Sequence, residues 1–169
     1  TLVAAHAAAL GASTNTVVIN KGKLELEGGI ALANTTISGH ASSSAHKSMV
    51  GGDGTFVAIT VGDGNNEIDA ISPGRGISSS LTPSNQQVTL GTGGAAANAM
   101  GDLTVTALTF NDNAVFDWEI ADFNSGVNQG AFNDAFDVLN FGSLAFGAGA
   151  VVDLNVFSVA SDGSAGGVA

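Results

Sequence analysis

Short stretches of alternating apolar and polar residues recur along this chain, and each is followed by a turn rich in Gly, Asn or Asp. Alternation with a period of two places one face of a strand against a core and leaves the other face in water. The pattern therefore predicts an all-β fold. It is clearest at residues 103–110, 114–120, 136–141 and 151–157.

The predicted strands before Gly101 are short, about four residues each, which is normal for the stacked strands of a solenoid. In residues 16–27 a turn at Lys21-Gly22 separates two strands, and Leu24 and Leu26 share one face while three charges occupy the other. Residues 55–61 are partly apolar on both faces, which indicates a strand buried on both sides. Further short strands are predicted at 30–33, 35–38, 67–71 and 87–90.

No helix of ordinary length is indicated, and the two short helical candidates are residues 4–10 and 129–135. Residues 40–54 are small and polar and are predicted to form a loop. We expect a single elongated β domain over residues 1–169. Its parts are an Ala-rich N-terminal segment (1–14), solenoid-like strands (15–100), a C-terminal β region (101–160) and a tail (161–169).

Two architectures fit these strands. In a parallel β-solenoid, each short strand stacks on its equivalent in the next turn of the chain, and small residues line a narrow core. In an antiparallel β-sandwich, the longer strands after Gly101 pair through hairpins. The short strands before Gly101 favour a solenoid-like stack with a broader C-terminal β region, and the sandwich is the alternative.

Charge narrows the range of partners. The chain has 15 acidic and 4 basic residues, for a net charge of −11. Nucleic-acid binding is not expected, because neutralising phosphates requires clustered Lys and Arg.

Membrane insertion is not expected either, since no apolar run approaches the ~20 residues of a membrane-spanning helix. Cysteine is absent, which excludes disulfides, zinc–thiolate sites and cysteine nucleophiles.

Several segments resemble autotransporter-associated β-strand repeats. Residues 16–26 match the unit T-x-V-x-x-G-x-L-x-L, while residues 54–62 and the turn Ser72-Pro73-Gly74 resemble the units that follow in such proteins. Residues 110–120 and 137–144 resemble the C-terminal part of large bacterial surface proteins, some of which carry a PEP-type sorting tail. The resemblance covers about two thirds of the chain and implies a secreted or surface-exposed bacterial β-solenoid with a structural or adhesive role.

One segment has the oxygen-ligand spacing of a calcium site. Asp63, Asn65 and Glu67 offer oxygens at alternate positions, which suits Ca²⁺. The segment is not an EF-hand loop, because the sixth position is Ile68 and the twelfth is Gly74. An Asx-rich turn without an ion is the alternative. Asp112, Asp134 and Asp137 raise the same question, and no cofactor is required by the sequence.

The catalytic motifs are incomplete. Two pairs of carboxylates lie two residues apart and therefore share one strand face: Glu67 with Asp69, and Asp117 with Glu119. Neither pair completes the carboxylate motif of a retaining glycosidase. We interpret them as solvated charges on a wet face. Trp118 is expected in the core. His40 and His46 lack a carboxylate at metal-ligand spacing, and we interpret them as part of a polar loop. Because none of these motifs is complete, we do not expect an enzyme.

The leading hypothesis is an extracellular structural protein that self-assembles into a bacterial surface fibre or matrix. Stacked strands leave open edges that template pairing with another chain. The expected partners are further copies, joined as a homo-oligomer or filament through strand edges and the segments 2–10 and 151–159. A module that binds a surface glycan is the alternative, and a glycan-active enzyme is a weaker one.

Overall fold

The structure is a computed structural model that describes residues 1–12, 14–32, 35–39, 48–62, 68–74, 101–120 and 136–158. These residues form twelve strands and no helix, so the all-β prediction is confirmed. The strands are β1 (Leu2–Ala4), β2 (Thr16–Ile19), β3 (Gly22–Leu26), β4 (Ala31–Leu32), β5 (Thr36–Gly39), β6 (Ser48–Gly52), β7 (Thr55–Val61), β8 (Ala70–Pro73), β9 (Asp102–Phe110), β10 (Ala114–Ile120), β11 (Val138–Phe146) and β12 (Val152–Ser158).

The strands form three sheets. The six-stranded sheet has the order β1-β3-β6-β8-β10-β12, the four-stranded sheet β11-β9-β7-β4, and β2 pairs with β5. Every pairing between these strands is parallel. From β6 onward the chain alternates between the two larger sheets. Each new strand from β8 onward therefore pairs with the strand two before it in sequence, which is the preceding strand of the same sheet. We call this arrangement the strand stack.

The hairpin pairing of the sandwich alternative does not occur between the described strands after Gly101. β9 pairs with β11 and β10 with β12, in both cases parallel. Each partner is therefore the second strand along, and the strand between them belongs to the other sheet.

The core consists of apolar side chains that stack at one level from strand to strand. In the six-stranded sheet, Leu24, Val50 and Ile71 align, and all three are buried. In the four-stranded sheet, Phe56 aligns with Val105, Ile59 with Leu108, and Val61 with Phe110. These residues belong to one continuous core, so the inward face of each strand is fixed by its neighbours in the stack.

The four-stranded sheet interrupts the alternation at one level. In β7 the core residues are Phe56, Ile59 and Val61, so Val57 and Ala58 both lie outside the core. Ladder pairing skips the level of Val57, Thr106 and Gly142 in all three long strands. An extra outward residue of this kind bends a strand, as a β-bulge does. The prediction that residues 55–61 are buried on both faces is therefore wrong, since Val57 is 37% exposed.

Local boundaries differ from the sequence predictions at three places. Residues 48–52 lie in the predicted loop but form β6, which is held between β3 and β8. The strand predicted at 67–71 begins later, at Ala70, and extends to Pro73. Residues 4–10 are not helical; β1 ends at Ala4 and turns follow. Both 87–90 and 129–135 lie outside the described residues.

Candidate functional site

The C-terminal end of the strand stack exposes apolar side chains that belong to the core columns. Phe141 follows Val105, Leu144 follows Leu108, and Phe146 follows Phe110. The three residues of β11 are 38–62% exposed, whereas the three residues of β9 that they follow are at most 6% exposed. In the other sheet, Leu154 follows Phe116, which packs against the core, and Val156 follows the half-buried Trp118 on the same face of the sheet. Phe141, Leu144, Phe146, Leu154 and Val156 together form what we call the open end.

The open end coincides with two strand edges. β12 is the last strand of the six-stranded sheet and β11 the last of the four-stranded sheet. Within the described part of the chain, each has a hydrogen-bonded neighbour on one side only. Phe146 stacks on the ring of Phe110 with centroids 6.0 Å apart and is nevertheless 62% exposed. An unpaired edge next to exposed apolar residues is a surface on which a further strand can add.

The opposite end of the six-stranded sheet is β1. Leu2 aligns with Leu24 and is 58% exposed, whereas Ala4 aligns with Leu26 and is buried. Leu2 thus begins the same column of side chains that Leu154 ends. The two ends of the sheet therefore present the first and the last member of one apolar column.

A group of polar side chains lies buried on the face of the six-stranded sheet that points away from the apolar core. Each member is at most 6% exposed. Lys23 Nζ lies 3.1 Å from Glu25 Oε1 and donates to Ser72 Oγ at 3.3 Å. The group, which we call the buried polar cluster, contains Lys23, Glu25, Ser72, Asp117, Glu119 and Asp137.

Backbone and amide groups hold the carboxylates of this cluster in place. Asp137 accepts from the backbone N–H of Gly101 at 3.0 Å and from that of Glu119 at 2.8 Å. Asp117 accepts from Asn155 Nδ2 at 2.8 Å. Trp118, which is half-buried and not part of the core cluster, donates its Nε1–H to the carbonyl of Asp137 at 2.8 Å. The cluster thereby ties β10 to β12 and to the segment before β11.

The electrostatics of the cluster are dominated by burial. Burial raises the pKa of Glu119 to about 7; the positive charge of Lys23 opposes this shift, and the charges of Asp117 and Glu25 add to it. Burial, followed by the charge of Glu119, also raises the pKa of Asp137 well above its usual value, while two backbone hydrogen bonds lower it. Both carboxyl groups therefore bind a proton more tightly than they do in an unfolded chain.

The structure corrects the interpretation of the paired carboxylates. Asp117 and Glu119 were predicted on a wet strand face, yet both are 2% exposed, and Asp69 is 3% exposed. Lys23 and Glu25, placed by alternation on the polar face of β3, are also buried. Alternation identified the face correctly but could not show that this face is covered. The one sequence signal was a pair of opposite charges, Lys23 and Glu25, two residues apart on the same face of one strand.

The predicted calcium ligands Asp63, Asn65 and Glu67 lie outside the described residues, as do Asp134, His40 and His46. Asp112 and Asp137 have different hydrogen-bond partners. Asp112 accepts the backbone N–H of Val151 at 3.2 Å, and Asp137 is engaged in the cluster. In the described ranges, no three or more His, Asp or Glu side chains are placed to hold a metal ion.

Comparison of the chain with protein-family models, with curated proteins and with solved structures found no match. The resemblance to autotransporter-associated repeats therefore stays a prediction. Among the residues that the structure describes, no helix is long and apolar enough to cross a membrane.

Proposed function

We propose that this protein is a structural subunit that assembles head to tail through the ends of a parallel β-solenoid, as part of an extracellular bacterial fibre or matrix. The observation that carries the proposal is the open end, where five apolar side chains of β11 and β12 are exposed beside strand edges that have no further neighbour among the residues the structure describes. The parallel strand order supports the solenoid, since stacked parallel strands can continue without limit unless capped.

Covering the open end is energetically favourable. Full burial of a Leu, Val or Phe side chain contributes roughly 1.5–3 kcal/mol, and the five residues of the open end are between 38% and 62% exposed. A strand that adds to β12 also gains the backbone hydrogen bonds of a parallel ladder. These two gains oppose the loss of translational and rotational freedom on association.

A second copy of the chain fits the open end because the other edge of the same sheet has the required direction. β1 and β12 are parallel members of one six-stranded sheet. A copy translated along the stack therefore brings its β1 beside β12 with the strands still parallel. The contact joins two different surfaces and does not close on itself, which generates a filament.

The extracellular location is supported by composition and by the family resemblance. The net charge of −11 keeps such a surface soluble, and the resemblance is to bacterial surface proteins. A glycan-binding adhesin is the competing function. The burial of Asp117 and Glu119 does not support a glycan-active enzyme, whose carboxylates flank the bond to be cleaved.

The test is to substitute both Leu154 and Val156 with Lys, which places two charges on the open end. We expect the unmodified protein to form filaments in negative-stain electron micrographs and a mass that rises with concentration in light scattering. The double variant is expected to be monomeric, because burying two unpaired ammonium groups opposes association. The images are taken with and without calcium, so that an ion-dependent assembly is recognised.

The matched control is Asp153→Lys, which adds the same charge to the same strand at an exposed position outside the core columns. It should assemble like the unmodified protein, and circular dichroism should show strand content unchanged in both variants. If the unmodified chain stays monomeric at all concentrations and conditions, or if the Leu154/Val156 variant assembles equally well, the proposal is wrong. Binding to a glycan array by the monomer would favour the adhesin instead.

A further inference from the structure

The buried polar cluster holds more negative than positive groups. Glu25, Asp117, Glu119 and Asp137 face a single cation, Lys23, within the described residues. The ammonium group of Lys23 is already engaged with Glu25 and with the hydroxyl of Ser72. Four carboxyl groups and one ammonium cannot all be ionised at low cost in a buried site, because each uncompensated charge is expensive to bury.

The hydrogen-bond donors near the cluster are distributed unequally. Asp137 receives two backbone N–H groups and Asp117 receives the amide of Asn155. Glu119 Oε2, in contrast, is buried and has no hydrogen-bond partner among the described residues. Binding a proton removes the charge of Glu119, so that the carboxyl group no longer needs donors to stabilise a buried negative charge. The geometry of the site therefore favours the protonated form of Glu119.

We propose that the buried polar cluster is a proton switch: the strand stack is stable while Glu119 carries a proton, and it loses stability when that proton is released as the pH rises. This inference is independent of the proposed assembly, because it concerns the folding of one chain.

The surroundings of Glu119 support this assignment from each packed element. β3 contributes Lys23 and Glu25, and the charge of Lys23 alone favours the ionised form. β10 itself contributes Asp117, whose negative charge favours the proton on Glu119. The segment before β11 contributes Asp137, whose own pKa is raised by burial and by the charge of Glu119. The neighbouring strands β8 and β12 add the uncharged Ser72 and Asn155.

The sign of the effect follows from the two states of the chain. The pKa of Glu119 is raised by burial from 4.5 to about 7 in the folded protein. Below about pH 4.5 both states are protonated, and the stabilisation is fully present. Between pH 4.5 and 7 the unfolded chain has lost this proton, whereas the folded chain still holds it. Raising the pH in this interval therefore favours the unfolded chain. Stability therefore falls over this interval and is lowest above it.

Equilibrium unfolding in urea between pH 4 and pH 9 tests the proposal. The unfolding equilibrium constant of the unmodified protein should rise by up to about tenfold per pH unit between pH 4.5 and 7 from this one proton. Glu119→Gln keeps the shape of the protonated side chain and removes the titration, so its slope should be lower by about one proton. Asp153→Asn, a change at an exposed carboxylate, should retain the slope.

A second measurement decides the question if the Gln variant does not fold. The chain has four glutamates, Glu25, Glu27, Glu67 and Glu119, so their side-chain carboxyl carbons can be followed by NMR during a titration of the unmodified protein. We expect the Glu119 signal to titrate near pH 7. Titration of Glu119 near pH 4.5, or equal slopes for the unmodified protein and Glu119→Gln, would overturn the proposal.

Discussion

Gly51 shows how one residue without a side chain permits a buried ion pair. It lies in β6 between Glu25 of β3 and Ser72 of β8. A Cβ atom built on Gly51 would clash with the backbone carbonyl oxygen of Ser72 and would also lie 2.6 Å from Cε of Lys23, which is too close for any real contact. The Lys23 side chain therefore crosses β6 over Gly51 and reaches Ser72. The small residues that made 40–54 look like a loop are, at this position, what the sheet requires.

Gly51→Ala is expected to destabilise the protein by about 1–3 kcal/mol, the usual cost of overpacking a close-packed site. The measurement is urea unfolding at constant pH. Gly28→Ala is the matched control, because the nearest atom to its added Cβ is at an ordinary contact distance of 3.7 Å, and it should change stability by no more than about 0.5 kcal/mol. Equal effects of the two substitutions would contradict the close packing of Gly51 against Ser72 and Lys23.

Position in the strand stack decides what an apolar side chain contributes at the scale of the element. Ile59, Leu108 and Leu144 form one column in β7, β9 and β11. The middle residue is 1% exposed and the last is 38% exposed. The same residue type therefore occupies the interior of the column and its end, which makes the pair a direct probe of the open end.

Leu108→Ala should cost about 2–5 kcal/mol of unfolding free energy, because it leaves a cavity in the core. Leu144→Ala should cost less, about 1–1.5 kcal/mol in the monomer, because the residue is already 38% exposed and its truncation opens to solvent rather than leaving an enclosed cavity. Chemical unfolding at low protein concentration measures both. In assembled material, the cost of Leu144→Ala should increase as the open end becomes covered. Similar costs for both variants in the monomer would mean that the open end is already covered.

The whole molecule has one translational direction, and this fixes the register of the proposed contact. Leu2, Leu24, Val50 and Ile71 lie at one level of the six-stranded sheet, and Leu154 continues this level through β10. A second copy that continues the column places its Leu2 beside Leu154. Neighbouring strands lie about 4.8 Å apart, which is within the Cα separation that a disulfide spans.

Mixing a Leu2→Cys chain with a Leu154→Cys chain should give a disulfide-linked dimer under mild oxidation. The background is clean because the natural chain has no cysteine. Val3→Cys, which is also exposed but aligns with Glu25 outside the core column, should cross-link to Leu154→Cys much less well. Gel electrophoresis without reductant measures the yield. Filaments with no Leu2–Leu154 link would leave assembly intact but contradict this register.

Several features were predictable from the sequence because they depend on local pattern. The all-β class follows from period-two alternation, and the residues of β10 are those of its predicted strand. The inward positions of Leu24 and Leu26 follow from the same alternation. The strand β6 was not predictable, because Gly51 and Gly52 have low strand propensity and are held by their neighbours on both sides.

The sequence by itself determined that this chain forms strands, which face of many strands is apolar, and that its surface is acidic and free of cysteine. Only the tertiary structure decided that the strands pair in parallel, that the charged face of β3 and β10 is buried, and that β11 and β12 expose the ends of the core columns. The physical reason is that alternation reports the two faces of one strand. Strand direction, the covering of a polar face and the last position in a stack depend on residues far apart in the chain.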